Sequence, residues 1–197
     1  MPRSEQANQA IRDQRRRQLL DAAARLFARN GYAGTRIEDI ASAGGASKGL
    51  IYHYFGSKEA VFVALVERAV HGTSRLLEAA AGGSGSAPMR LRRLIEQEME
   101  GMTDDRHSVL VLVQALTSDA APEEARKLVY ALGHRALEVT SELIAAGQRT
   151  GTVAAGDPDQ LAALLHACLQ GLAVSAATPA PWPRPASSDS LVRLLIP

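Results

Sequence analysis

The sequence predicts an all-α fold, with a compact three-helix head at residues 12–58 followed by a larger helical body. Two observations carry this. Apolar residues recur at i, i+3 and i+4 through most of the long segments, the pattern of helices that bury one face. The one strand-like run, Val109-Leu110-Val111-Leu112-Val113, has no second candidate to pair with, so it reads as a buried helix.

The elements follow in order. Residues 1–11 read as a disordered arm. Arg12, Arg15, Arg16 and Arg17 then lead into a helix whose Leu19, Ala23, Leu26 and Phe27 form an i, i+4, i+7, i+8 stripe. The Arg cluster is a solvated helix end, or a set of phosphate contacts if a groove reader lies beside it. Thr35 opens a second helix: its hydroxyl is placed to accept from the Glu38 amide and Glu38 to reach back, a capping box. Ile37, Ile40 and Ala41 give that helix one apolar face, and Gly44-Gly45 ends it, since glycine takes the left-handed conformation past a helix end at little cost. Ser47 is the natural cap of a third helix, in which Ile51 and Phe55 point inward.

Gly56-Ser57 stops the third helix and starts a fourth over residues 57–81, buried along Val61, Phe62, Leu65, Val66 and Ala69. This fourth helix, from 59, connects head to body. Gly82-Gly83-Ser84-Gly85-Ser86-Ala87-Pro88 is a flexible connector. The body, 89–197, holds candidate helices at 90–102, 107–118, 123–150 and 158–178. Pro122-Glu123-Glu124 and Asp157-Pro158 are good starts, with Pro at the first helical position and acids near the N-terminal dipole. The region around Trp182, with Pro179, Pro181, Pro183 and Pro185, reads as an ordered loop. Asp189 then starts a short terminal helix with Leu191, Leu194 and Leu195.

The third helix is the informative one. At about 100° per residue, Gly49, Leu50, Tyr52 and His53 point away from Ile51 and Phe55. A solvated face would carry Glu, Lys or Gln. A DNA groove explains the difference: Lys and His offer donors to base edges or phosphate, Leu packs on a thymine methyl, and Gly49 lets the backbone approach. Two short helices around a glycine turn are the shape of a helix-turn-helix reader. The plainer alternative is a helical interaction module that docks protein rather than DNA.

The run Thr-Arg-Ile-Glu-Asp-Ile-Ala from Thr35, with Ser-Lys-Gly-Leu-Ile-Tyr-His-Tyr-Phe-Gly-Ser-Lys-Glu-Ala-Val-Phe from Ser47, strongly resembles the TetR family of bacterial transcriptional regulators. Leu19-Leu20-Asp21-Ala22-Ala23-Ala24-Arg25-Leu26-Phe27, ending in Asn30-Gly31-Tyr32, matches that family's first helix, so the likeness covers residues 12–66. The resemblance implies a homodimeric, ligand-responsive regulator, a repressor, reading a palindromic double-stranded operator. By position in the matched motif, Lys48, Gly49, Leu50, Tyr52 and His53 face bases, while Thr35, Tyr54 and Lys58 face backbone phosphate. His53-Tyr54 reverses a common Tyr-His order in the family, which leaves the division of labour between those two open. The body would bind an unidentified small-molecule effector and dimerise.

Composition agrees. Residues 1–58 hold ten Lys or Arg and five Asp or Glu, net +5; the rest hold twelve and sixteen, net −4. A basic head on an acidic body fits nucleic acid at one end. One cysteine, Cys168, excludes an internal disulfide framework and suits a reducing cytosol. The first twenty residues are polar and Arg-rich, unlike a signal peptide, and Val109–Val113 is far too short to cross a bilayer; a cytoplasmic protein without a membrane partner is expected.

Within the body, His107, Gln114, Tyr130, His134 and His166 are the polar groups most embedded in apolar runs, hence candidate pocket contacts. Aromatic content of 4% argues against a cavity built on ring stacking. The helix from Pro158 is apolar over so much of its circumference that it needs cover on two sides. Leu161, Leu165, Leu169 and Leu172, with Leu191 and Leu195, are its candidate dimer contacts. Catalysis has no constellation to stand on. His166 and Cys168 lie about 200° apart on their helix, no His-x-x-x-His or Cys-x-x-Cys spacing suits zinc, and the Gly82 run lacks the lysine of a phosphate loop. No enzyme, metal or cofactor is expected.

Overall fold

The structure is a computed structural model and describes residues 2–104, 106–177 and 187–196. The described residues form α1 (Pro2–Gly34), α2 (Ile37–Ala43), α3 (Lys48–Phe55), α4 (Lys58–Gly82), α5 (Ala87–Asp104), α6 (Arg106–Thr117), α7 (Glu123–Arg149), α8 (Pro158–Ala177) and α9 (Ser188–Val192). No strand occurs among them, as the sequence predicts. The Pro-rich loop expected around Trp182 lies outside the described residues.

The disordered arm expected at 1–11 is replaced by helix: α1 begins at Pro2. Pro2 is tolerated at a first helical position, and the chain then runs without Gly or Pro to Gly31, through good helix formers. Ala7 to Gln14 are exposed, so this stretch is held by its own backbone rather than by packing. Gly31, at φ 75°, ends the regular part of α1.

The head forms around Phe27 and Phe62, both fully buried, whose rings meet edge to face at 5.1 Å; Tyr32 packs edge-on to Phe62 at 5.0 Å. Leu19, Leu20 and Ala23 of α1, Ile37 and Ile40 of α2, Ile51 of α3 and Val61 and Leu65 of α4 complete one continuous cluster. Each large side chain so buried contributes about 1.5–3 kcal/mol. The turn between α2 and α3 packs directly on α1. A Cβ at Gly44 would lie 2.8 Å from Leu19 Cδ2, and Gly45 takes φ +57° to close the turn.

The body is a bundle in which α7 packs on both α4 and α8, with α5 against all three. Its core divides into two aliphatic clusters. One joins Leu91 and Ile95 of α5 to Ile144, Leu165, Leu169, Leu191 and Val192; the other joins Leu77 of α4 to Leu94, Val139 and Leu143. The short helix α6 ties body to head. Val111 and Ala115 are buried in the head cluster, and the Gln114 amide donates to the Phe27 carbonyl at 2.8 Å. The helix starts are as the sequence suggests for α8, where Pro158 leads and the Asp157 carboxylate accepts from the amides of Asp159 and Gln160. Pro122 sits one place earlier than expected, as the N-cap of α7.

By length and composition alone α8 is apolar enough to cross a membrane. In the fold it is a bundle helix with two apolar faces: Ala162, Leu165, Leu169 and Ala173 are buried inside the chain, whereas Ala163, Leu164, Ala167, Gly171 and Val174 are exposed.

Candidate nucleic-acid interface

Two caps and one anchor position α3. Ser47 Oγ accepts from the Leu50 amide at 3.2 Å, Gly56 closes the C-terminus at φ 82°, and Ile51 is buried against the head core. With Ile51 inward, the helical period places Lys48, Gly49, Tyr52 and His53 outward, and all four are exposed. Tyr52 keeps 44% of its surface in solvent, a large value for an aromatic side chain. Leu50 and Tyr54 are half-buried, Tyr54 ring-to-ring with His53 at 5.6 Å. Lys48 reaches α2, ion-paired to Glu38; this hydrogen bond holds the Glu38 carboxyl below its usual range and raises the Lys48 ammonium. Lys48 also lies over the Tyr52 ring at 5.9 Å.

Two of the three expected phosphate contacts are occupied within the head. Thr35 is fully buried and its hydroxyl donates to the Gly31 carbonyl at 2.8 Å, so it neither reaches solvent nor caps α2. The cap expected at Thr35 is found one residue on: the Arg36 amide donates to Asp39 Oδ2 at 3.1 Å. The sequence offers an acid at both 38 and 39, and burying the Thr35 hydroxyl against α1 moves the register by one. Lys58 donates to the carbonyls of Tyr32 and Thr35 at 2.9 and 3.1 Å and lies 4.4 Å from the Tyr32 ring centroid. Its ammonium therefore clamps α1 to α4, with one of its three donors left over. In the Arg cluster, Arg15 donates to the Gly45 carbonyl and Arg16 lies 5.1 Å over the Phe55 ring, while Arg12 and Arg17 are exposed.

The body holds a cavity of about 260 Å³. Arg68, Ala69, Gly72 and Thr73 of α4 form one wall, Gly101 and Met102 of α5 a second, and Ser108, Val109 and Leu112 of α6 the third. None of the five pocket residues expected from sequence lines it. Gln114 faces the head, Tyr130 and His134 are exposed on α7, and His107 is half-buried. His166 Nε2 pairs with the fully buried Thr140 hydroxyl at 2.9 Å; burial lowers its pKa, partly offset by a hydrogen bond to the backbone of Ala136. Polar residues in apolar runs were thus drawn to internal hydrogen bonds or to solvent. Gly72 and Gly101 line the cavity, but glycine within a helix is no sufficient signal, since Gly133, Gly147 and Gly171 also stand inside helices.

Four of the six leucines expected at a subunit interface are taken up inside the chain. Leu165, Leu169, Leu191 and Leu195 are buried in one intrachain cluster, with Leu161 and Leu172 packed on it. The chain's own core takes the longest row of α8. The apolar surface left exposed includes the opposite row of α8, with Leu164 at 58%, and Tyr130 and Leu137 of α7. Among the described residues no cluster of His, Cys, Asp and Glu could hold a metal ion.

This geometry, an all-helical head carrying an outward aromatic and basic helix, defines a helix-turn-helix protein, and known proteins agree. Residues 19–65 match the family model of the bacterial regulatory proteins of the TetR family. The chain is 32% identical to the transcriptional repressor NicS of Pseudomonas putida over 142 residues, 71% of this chain and 66% of that protein. It is 30% identical to the repressor KstR2 of Rhodococcus jostii over 143 residues, 70% of this chain and 67% of that one. A regulator from Saccharomonospora viridis, solved in complex with choline, superposes with a TM-score of 0.73 at 30% identity, covering 92% of this chain and 93% of its own. The chain belongs to the TetR family: it is a DNA-binding transcriptional regulator and not an enzyme.

Proposed function

We propose that this regulator is a cytoplasmic, ligand-responsive repressor that reads a palindromic operator as a homodimer. The carrying observation is the outward side of α3, where Lys48, Gly49, Tyr52 and His53 stand exposed on a helix locked by Ser47, Ile51 and Gly56. Lys48 and His53 supply donors for base edges, Tyr52 a flat surface and hydroxyl, and Gly49 the clearance for the helix to enter the major groove. The exposed Arg12 and Arg17 of α1 and the leftover donor of Lys58 supply sequence-independent phosphate contacts. The test is selection of binding sites from random duplex DNA. A palindrome is expected, with half-site centres about 34 Å or a multiple apart. Enrichment of no sequence at low salt would overturn the reading.

Dimerisation is supported by the exposed row of α8 together with Tyr130 and Leu137, an apolar surface with small residues that lets two helices approach. Leu164→Glu should give a folded monomer by sedimentation that binds the palindrome far more weakly than a dimer does. A dimer unaffected by that change would move the interface elsewhere. The cavity between α4, α5 and α6 supplies the effector site, and α6 the link from that cavity to the head.

A further inference from the structure

We propose that the cavity between α4, α5 and α6 takes a small carboxylate with an apolar tail, its carboxylate held by Arg68 in exchange for Asp21. This rests on the reading of the protein as ligand-responsive. The volume of about 260 Å³ falls just under the usual range of small-molecule sites and suits a small ligand. Space there is kept open by residue choice. Gly72 stands within α4 and Gly101 within α5, and a Cβ added at either would meet nothing within 4 Å. Glycine is the poorest helix former after proline, and here no turn or close contact calls for it.

The walls set the ligand class. Met102, Val109 and Leu112 offer an apolar lining; among the described lining residues none is aromatic and Arg68 is the one charged residue. A quaternary ammonium would call for an aromatic cage or an acid at that wall. Among the described residues the Arg68 guanidinium has one hydrogen-bond partner, Asp21 of α1, at 2.7 Å through a single nitrogen. Four of its five donors are left over, and guanidinium is suited to a two-pronged grip on a carboxylate. Asp21 is half exposed, so the pair is weakly held and open to exchange.

Exchange reaches the head by two routes. It removes the Asp21 link between α1 and α4. It also loads α6, whose Val109 and Leu112 line the cavity while Val111 and Ala115 are buried in the head cluster and Gln114 bonds to α1. Glu98 of α5 stands one turn before Met102. It makes amines the rival class that the test must include.

The experiment is calorimetric titration of the full chain with hexanoate, octanoate and 3-phenylpropionate, against amines and alcohols of matched length and choline. Release of the selected duplex is followed in parallel. The carboxylates are expected to bind and release DNA. Arg68→Gln should weaken them by about ten- to a hundredfold, the weight of a charge-assisted hydrogen bond. Asp21→Asn breaks the same ion pair yet should tighten them by about two- to fivefold, because the competitor is gone. If both variants shift binding the same way, Arg68 is a structural link and the proposal fails. Equal or better binding of amines, choline or alcohols also overturns it, while leaving a ligand-responsive protein. Carboxylate binding without DNA release would support the site and sink the ligand-responsive reading. Silence from every probe overturns the proposal.

Discussion

Head and body of this regulator bury their apolar residues in different ways. The head is built on rings, with Phe27, Tyr32 and Phe62 in mutual contact and its helix ends tied by Ser47, Ser57, Asp39 and Lys58. The body clusters are aliphatic, contain no aromatic ring among the described residues, and leave a cavity where α4, α5 and α6 meet. Interlocked rings with the reading helix tied at both ends hold one geometry, which a surface that must match base edges requires. Aliphatic side chains around a void tolerate repacking, which a sensor requires.

The sharpest way to break this contrast is to truncate one residue of each kind. Phe62→Ala should cost about 3–5 kcal/mol in urea unfolding, since it removes a ring with two aromatic partners and leaves a closed void. Met102→Ala should cost about 1 kcal/mol, because its side chain is half exposed and borders space that is already empty. Equal costs would mean that the two regions are packed alike.

A second difference is electrostatic. The head's charged groups are paired or solvated, whereas Glu98 of α5 is largely buried and burial pushes its pKa from 4.5 to about 7. The folded state therefore keeps a proton that the unfolded chain has lost between those values. Stability is full below about 4.5, falls as pH rises towards 7, and stays reduced above it. Glu98→Gln removes this penalty. It should stabilise the protein by about 3 kcal/mol at pH 8 and leave it unchanged near pH 4. His166, lowered by burial, acts with the opposite sign, destabilising as pH falls below 6.5, but it is present in both proteins and cancels in the comparison. A pH-independent difference would show that Glu98 is solvated.

A smaller effect is expected at the DNA face. Tyr52→Ala should weaken binding to the selected operator by about 1–3 kcal/mol with unfolding unchanged, because the ring is exposed and touches little of the core. Unchanged affinity would remove Tyr52 from the base-facing set.

The contrast also explains what could be read from the sequence. The head was legible almost residue by residue, since Ile37, Ile40, Ala41 and Ile51 at helical spacing bury as their period requires and Ser47 caps as its side chain predicts. Thr35 was misread because a hydroxyl at a helix start serves a cap or a carbonyl behind it equally well, and only packing on α1 decides. In the body, periodicity gave the helices but not their faces. An α8 apolar on two sides offers two leucine rows, and composition does not say which the chain keeps for itself. The cavity was illegible for the same reason: an absent side chain leaves no period, and Gly72 and Gly101 signal only by being glycines inside helices.

The smallest effect probes how far the head's order is local. With eight residues, α3 is well short of the length at which an isolated helix is stable in water, so it depends on its cap and on Ile51. Ser47→Ala leaves the Leu50 amide without a side-chain acceptor and should cost about 1 kcal/mol of stability. The frayed turn would hold Lys48 and Gly49, so operator affinity should fall with it. Ser57→Ala removes the matching bond to the Ala60 amide of α4. There Lys58 already pins the helix start to two carbonyls of the preceding segment, and 25 residues of packed helix follow. Its cost should be smaller, with operator affinity nearly unchanged. If the two serines prove equivalent in DNA binding, the start of α3 is ordered by the head's core alone and the cap is dispensable to reading.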